Sequence, residues 1–166
     1  HNVHRRLKEA EMQNKRVSES YLQHRDAVLQ YTYQDMNLNL ENDQQVYIAV
    51  LDVPVESIIA GGQTQTYAML FGLNTHIYFG SGDVLTGLEK KKPVMEAMQA
   101  MLISSHQVLR TMELISNCDY YESKNIRAYL KTKQGVFFKE ITGESKEDRF
   151  LLMLFNKLRR TIAETM

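Results

Sequence analysis

One hydrophobic pattern occurs twice in the second half of the chain: two short apolar runs and then a long apolar helical stripe. The first copy covers residues 64–116 and the second covers residues 125–165. Short runs of β-branched and aromatic residues bounded by turn residues predict strands, and apolar residues at helical spacing predict helices. The repeat therefore predicts two hairpins, over residues 64–80 and 125–141, each followed by a helix.

The segment before the repeat adds a further strand. Residues 45–53 are apolar on both faces, which predicts a central strand, because a strand with one solvated face alternates apolar with polar residues. Pro54 has no N–H to donate to a ladder, so we expect the strand to end there. In the second copy, Ser145 and Asp148 have the spacing of a capping box, which predicts the start of the last helix.

A long amphipathic helix is predicted over residues 2–34. This makes residues 1–36 an N-terminal helical unit and residues 37–166 a single α+β domain. Apolar positions that alternate spacings of four and three, with one polar residue in the seam, are typical of helices that pair. The helix could lie on its own domain, or pair with a second copy as a dimerisation or stalk helix. The pattern consists of Val3, Leu7, Ala10, Asn14, Val17, Tyr21, His24, Val28 and Tyr31.

The predicted fold is α+β, with the order α-β-ββ-α-ββ-α. A single five-stranded, mostly antiparallel sheet should carry the helices packed on it. This element order resembles that of the profilin-like, longin, roadblock and PAS-like families of sensor and scaffold modules. The resemblance lies in the order of elements, so it assigns no functional residues to this chain.

Composition and charge set limits on the function. The chain has 166 residues, of which 43% are hydrophobic and 24% are charged, as expected for one soluble globular domain with no transmembrane segment. Its net charge is zero, yet residues 26–89 hold eight Asp and Glu and no Lys or Arg. The oppositely charged segments could fold together and neutralise one another. Alternatively, they could form an acidic face and a basic face, which would steer a charged partner or favour self-association. We expect a cytoplasmic location, with a soluble extracytoplasmic domain as the alternative because the chain begins at His1.

Motifs for catalysis are missing from the sequence. No Cys or His cluster has zinc spacing, no glycine-rich phosphate loop opens a helix, and Cys118 has an acidic neighbour instead of a base. We therefore expect no cofactor and no metal. The sequence favours a non-enzymatic interaction or sensing module that self-associates through the N-terminal helix or the sheet. An enzyme remains an alternative, with its site at the strand ends near Asp52, His76 and Asp83.

Two basic surfaces are predicted to bind a partner or an anion. Lys90, Lys91 and Lys92 precede a helix that Pro93 opens, where free N–H groups attract anions. The second surface depends on the turn of the second hairpin. A three-residue turn at 133–135 sorts the apolar residues better and leaves a basic and aromatic face outward, whereas a two-residue turn flips the second strand. That face would consist of Arg127, Tyr129, Lys131, Phe137 and Lys139.

Bases and aromatics on one sheet face also occur in single-stranded nucleic acid binders. The rest of the chain is not basic and lacks the aromatic RNP1 pattern, so a nucleic acid partner is not expected. A homodimer or another protein is the expected partner. A small-molecule sensor is the alternative, because methionine side chains adapt to varied ligands. Its internal pocket would be lined by Met69, Phe71, Tyr78, Met98 and Met101.

Overall fold

The computed structural model describes residues 17–54 and 64–166. Three helices and seven strands occur in this part of the chain. The helices are α1 (Glu19–Gln30), α2 (Lys92–Ser104) and α3 (Lys146–Thr165). The strands are β1 (Ile48–Val53), β2 (Gln65–Leu70), β3 (Asn74–Phe79), β4 (Val84–Leu85), β5 (Glu113–Ile115), β6 (Ile126–Thr132) and β7 (Gly135–Ile141). No helix in these ranges is long and apolar enough to cross a membrane.

All strands belong to one antiparallel sheet with the order β4-β3-β2-β1-β6-β7-β5. The α+β class is confirmed, but the predictions of five strands and of the order α-β-ββ-α-ββ-α are wrong. The two additional strands, β4 and β5, are short and lie at the two edges of the sheet. Strand β1 is central, as its two apolar faces predict, and every residue of it is buried.

Both faces of the sheet are covered. Helices α2 and α3 pack beside each other on one face, over β1 residues such as Ala49 and Leu51. Helix α1 and the segment that follows it cover the opposite face, over Ile48 and Val50. The result is a three-layer arrangement in which neither face of the central strands reaches solvent.

The helix predicted after the first hairpin, from the Lys92–Pro93 start to the end of the first copy at residue 116, is too long. Helix α2 ends at Ser104, a 3₁₀ segment follows over Ser105–Thr111, and β5 then pairs with β7. Side chains in the 3₁₀ segment bond nearby carbonyls: Ser105 Oγ donates to Leu102 O at 3.2 Å, and Thr111 Oγ1 donates to Val108 O at 2.8 Å. Such local bonds compete with regular helical hydrogen bonding, so the apolar stripe continues while the α-helix does not.

The predicted three-residue turn of the second hairpin is also wrong. Thr132 pairs directly with Gly135, so the turn has two residues, Lys133 and Gln134. Phe137 consequently packs with the α2–α3 core, whereas Val136 packs on the α1 side. The prediction assumed that only one face of β7 is buried. Since both faces are covered, apolar sorting could not fix the register.

Helix α1 begins at Glu19, after an extended Ser18 whose hydroxyl caps it, and it ends at Gln30. The prediction of one uninterrupted helix over residues 2–34 is therefore wrong, and the helix ends four residues earlier than predicted. Thr32 and Asp35 cap each other: the Thr32 N–H donates to Asp35 Oδ2 and the Asp35 N–H donates to Thr32 Oγ1, both at 3.0 Å. This turn competes with continuation of the helix. The heptad over residues 1–16 lies outside the described residues. Pairing through this segment and the division of the chain at residue 36 therefore stay predictions.

The predicted start of α3 is confirmed, because Ser145 is the N-cap and its hydroxyl accepts a hydrogen bond from the Asp148 N–H. The Asp148 carboxylate is 2% exposed and accepts from Lys139 Nζ at 2.8 Å and from the N–H groups of Thr142 and Gly143. Burial raises the pKa of Asp148, but these hydrogen bonds outweigh burial and hold its pKa below the usual range. Asp148 therefore joins the end of β7 to the start of α3.

We expect Asp148→Asn to lower the free energy of unfolding at pH 7 by about 1.5–3 kcal/mol, the range for hydrogen bonds to a charged group. A carboxyl whose folded pKa is depressed stabilises the fold above its unfolded pKa of about 3.9, and this contribution is lost as pH falls through the folded pKa. Urea unfolding at pH 7, 5 and 3 should show the wild-type and variant stabilities converging. A difference that is constant with pH would contradict this role, and Glu144→Gln, an exposed acid in the same loop, is the control.

Candidate functional site

A buried ion pair joins α1 to the central strand. Asp52 lies in β1, and its side chain points to the α1 side. There the Arg25 guanidinium binds the Asp52 carboxylate in a bidentate arrangement. Arg25 Nε lies 3.1 Å from Asp52 Oδ1, and Arg25 Nη2 lies 2.9 Å from Oδ2. Both side chains are 0% exposed. Burial lowers the pKa of Arg25, but Asp52 outweighs this and the pKa is raised, so the guanidinium stays charged.

Further hydrogen bonds fix this pair. Thr66 Oγ1 donates to Asp52 Oδ1 at 2.6 Å, and the Tyr21 hydroxyl is hydrogen-bonded to the same Thr66 oxygen. Arg25 Nη1 donates to the Cys118 carbonyl at 2.6 Å. Burial raises the pKa of Tyr21, with the Asp52 carboxylate adding to the effect, so this phenol stays neutral. The Asp52 carboxylate is thus fully engaged by its neighbours.

A second arginine, Arg127, lies on the neighbouring strand β6 directly opposite Asp52. Arg127 is 1% exposed, and its Nη1 donates to the carbonyls of Ser123 and Asn125, both at 2.9 Å. Its Nε and Nη2 atoms are buried and have no hydrogen-bond partner within the described ranges 17–54 and 64–166. Arg25 binds the Asp52 carboxylate through the equivalent pair of atoms, Nε and Nη2. This edge of a guanidinium group can donate two parallel hydrogen bonds to a carboxylate.

Tyrosine rings lie against both guanidinium groups. The Cζ atoms of Arg25 and Arg127 each lie 5.7 Å from the centroid of the Tyr120 ring. Arg127 also lies 5.7 Å from the Tyr121 ring, and Arg25 lies 4.9 Å from the Tyr129 ring. Burial raises the pKa of Tyr120, and it raises the pKa of Tyr129 to about 12. The neutral rings offer the arginines cation–π contacts and add no negative charge.

An acidic residue, Glu140, lies next to Arg127 on the side away from Asp52. Glu140 in β7 is the register partner of Arg127, as Asp52 is on β1. Its carboxylate accepts from Ser123 Oγ and Tyr121 Oη at 2.6 Å and from Asn125 Nδ2 at 3.2 Å. The hydrogen bonds from Ser123 and Tyr121 lower the pKa of Glu140, so it is ionised at neutral pH. We call the set Arg25, Asp52, Tyr120, Arg127 and Glu140 the arginine cluster.

The five residues of the predicted basic–aromatic face do not share one face. Arg127, Tyr129 and Lys131 lie on the α1 side, and Tyr129 is 2% exposed. Lys131 Nζ donates to the Leu29 carbonyl at 2.7 Å and to the Tyr31 carbonyl, so it caps the C-terminus of α1. Phe137 and Lys139 lie on the opposite side, and Lys139 pairs with Asp148 at 2.8 Å. Whether any of these residues binds a partner stays a prediction.

Lys90, Lys91 and Lys92 lie at the start of α2, as the sequence predicts. Lys90 ends a 3₁₀ turn, Lys91 precedes α2 and Lys92 is its first residue. All three are exposed, and Lys92 Nζ lies 4.0 Å from Glu96 Oε1 on the next turn of the helix. Within the described part of the chain, no side chain caps this helix start. Anion binding at these lysines stays a prediction.

The residues of the predicted internal pocket do not converge. Met69, Met98 and Met101 are 0% exposed and belong to the α2–α3 core. Tyr78 belongs to the core on the other face of the sheet. The Met98 sulfur accepts a hydrogen bond from Thr75 Oγ1 at 2.8 Å, a contact of ordinary core packing. Phe71 packs against both cores and lines an open surface cleft of about 400 Å³.

The acids of the predicted strand-end enzyme site lie in different environments. Asp52 is engaged by Arg25 and Thr66, whereas Asp83 is exposed and accepts from Ser81 Oγ at 3.2 Å. Burial lowers the pKa of His76, and it raises the pKa of the Cys118 thiol. Among residues 17–54 and 64–166, no group of three or more His, Cys, Asp or Glu is placed to hold a metal ion.

Sequence reasoning missed Arg25 and the role of Asp52. The signal was present: Arg25 follows Tyr21 by four residues and precedes Val28 by three, so it lies on the buried stripe of the helix. Asp52 is the single charged residue of a strand that is otherwise apolar on both faces. A charge at each of these positions requires a buried partner, and each is the partner of the other.

Comparisons with known proteins add no family to this picture. Neither the family models nor the curated proteins nor the solved structures compared with the chain give a match. The arginine cluster is therefore the basis on which a function can be proposed.

Proposed function

We propose that this chain is a non-enzymatic sensing module that binds a small carboxylate at the Nε–Nη2 edge of Arg127. One observation carries the proposal: a guanidinium that is 1% exposed has two nitrogens without a partner among the described residues. A buried charge costs several kcal/mol unless it is paired or hydrogen-bonded. A carboxylate accepts both N–H groups at once and offsets that cost.

The neighbouring pair supports the choice of ligand. Arg25 presents the same two nitrogens to Asp52, at 3.1 and 2.9 Å, so the fold already contains the geometry that the ligand would adopt. Asp52 and Glu140 flank Arg127 on both adjacent strands. Two flanking acids disfavour a doubly charged phosphate, because like charges repel strongly at low dielectric. A singly charged carboxylate is the better match.

The surroundings support sensing over catalysis. Asp52 is engaged by Arg25, and burial raises the pKa of the Cys118 thiol, so neither group is activated as a base or nucleophile. Arg25 connects the cluster to α1, whose other buried residues are Tyr21, Val28 and Leu29. A carboxylate bound to Arg127 would change the electrostatic potential at Asp52. It would thereby change the strength of the Arg25–Asp52 ion pair that attaches α1 to the sheet. Helix α1 is thus the element that would report binding.

Thermal unfolding in sodium acetate, compared with sodium chloride at equal ionic strength, tests the proposal. At ten times its dissociation constant a ligand adds about 1.4 kcal/mol, which corresponds to a rise of about 3–5 °C in a chain of this size. Arg127→Lys keeps the positive charge but removes the bidentate Nε–Nη2 edge. The variant should therefore not show the increase in Tm with acetate. Arg110→Lys, an exposed arginine paired with Glu147, should retain it. Equal shifts in wild type and Arg127→Lys would reject the site.

A further inference from the structure

We infer that the ligand is a small zwitterion, with its carboxylate on Arg127 and an ammonium group on Glu140. This inference rests on the proposed function and specifies the class of ligand. It starts from the row of charges across three adjacent strands. Asp52 in β1 pairs in register with Arg127 in β6, and Arg127 pairs with Glu140 in β7. The three side chains therefore emerge side by side on the face that α1 covers.

The formal charges of the cluster already balance. Arg25 and Arg127 contribute two positive charges, and Asp52 and Glu140 contribute two negative charges. Asp26 Oδ1 lies 3.9 Å from Arg25 Nη1, but its side chain is 57% exposed, so solvent screens its charge. A simple carboxylate would leave an excess negative charge beside two acids in a site where Asp52 and Arg127 are 0% and 1% exposed. Uncompensated charge is costly in such surroundings. A ligand that carries its own ammonium group keeps the balance while it fills the Arg127 edge.

Glu140 has capacity for that ammonium group. An ionised carboxylate has about four acceptor positions. Neutral donors take three of them: Ser123 Oγ and Asn125 Nδ2 bond Oε1, and Tyr121 Oη bonds Oε2. No Lys or Arg of the described part of the chain forms an ion pair with Glu140 within 4.0 Å. Glu140 is half-buried and Tyr121 is 36% exposed, so the cluster reaches solvent on this side.

One loop holds both charged groups. The carbonyls of Ser123 and Asn125 accept from Arg127 Nη1, and the side chains of the same two residues donate to Glu140. Arg127 and Glu140 also lie on adjacent strands, which are about 4.8 Å apart. This neighbouring placement favours a ligand whose two charges are separated by only a few bonds, as in a free α-amino acid.

Titration calorimetry with alanine, N-acetylalanine, propionate and ethylamine tests the inference on the full chain. We expect alanine to bind at least ten-fold tighter than N-acetylalanine or propionate, whereas ethylamine should not bind measurably. Glu140→Gln keeps one oxygen for Ser123 and Asn125 and places an NH₂ group where Tyr121 donates. It should abolish the preference for alanine and retain binding of propionate. The matched control is Glu122→Gln, an exposed acid of the same loop, and it should keep the preference.

The outcomes separate the two claims. If propionate binds and Arg127→Lys abolishes its binding, but alanine binds no tighter, the zwitterion is wrong and the carboxylate site stands. If none of the carboxylates binds to wild type, the proposed function is wrong as well. The comparison of alanine with N-acetylalanine needs no variant, so it decides the matter even where Glu140→Gln fails to fold.

Discussion

Replacing Arg25 with methionine should lower the free energy of unfolding by about 3–5 kcal/mol, the range for breaking a buried ion pair from one side. The variant leaves the Asp52 carboxylate 0% exposed, with Thr66 as its remaining donor. It also removes the hydrogen bond from Arg25 to the Cys118 carbonyl, which ties α1 to the segment before β6. Urea unfolding followed by circular dichroism gives the measurement.

Two further variants distinguish the energy of the Arg25–Asp52 ion pair from the loss of side-chain packing. Asp52→Leu should be destabilising to a similar extent, because it leaves Arg25 buried without its partner. The double variant Arg25→Met/Asp52→Leu should cost clearly less than the sum of the two, since no uncompensated charge remains. Arg110→Met, which breaks an exposed pair with Glu147, should stay close to wild type. Strict additivity of the two buried variants would contradict the pair's role.

Replacing Phe155 with alanine should lower the free energy of unfolding by about 3–5 kcal/mol, as is typical for a large buried ring replaced by a methyl group. Phe155 is 0% exposed in the α2–α3 core, and its ring centroid lies 5.0 Å from that of Tyr67 in an edge-to-face contact. The variant loses transfer free energy and leaves a cavity between α3 and the sheet. Guanidinium unfolding measures the loss.

Met153 supplies the control for this prediction. It lies two residues earlier on the same helix and is 57% exposed. Met153→Ala should therefore unfold at nearly the wild-type denaturant concentration, because little apolar surface is lost from the core. Equal effects of Met153→Ala and Phe155→Ala would contradict the assignment of the buried face of α3.

The elements that sequence predicted well are those whose signal is local. The double-faced apolar run of β1 identified the central strand, and the spacing of Ser145 and Asp148 marked the start of α3. The elements it missed depend on distant partners. Strand β5 pairs with β7 at the edge of the sheet, and in the sequence Met112 and Ile115 continue the apolar stripe of α2 at helical spacing. Nothing local separates Glu113–Ile115 from a helix end.

The candidate site was predicted only in part, and the reason lies in the layers of the fold. The sequence predicts Arg127 and Tyr129 on an outward basic face, because the apolar residues beside them indicate a single buried side. Helix α1 covers that face instead, so the same residues are 1% and 2% exposed. Whether a strand is covered on one side or two is decided by tertiary packing. A basic residue on a predicted outer face can therefore be a buried site residue.

Nuclear magnetic resonance of the arginine Nε–Hε groups tests the central claim most directly, since it observes one of the two nitrogens concerned. Arg127→Lys assigns the Arg127 resonance in the ¹H–¹⁵N spectrum of the wild type. Titration with sodium acetate should then shift that resonance in a saturable manner, with sodium chloride as the reference and the exposed Arg110 group unchanged. A resonance of Arg127 that stays in place, or that moves together with all other arginines, would contradict carboxylate binding at this edge.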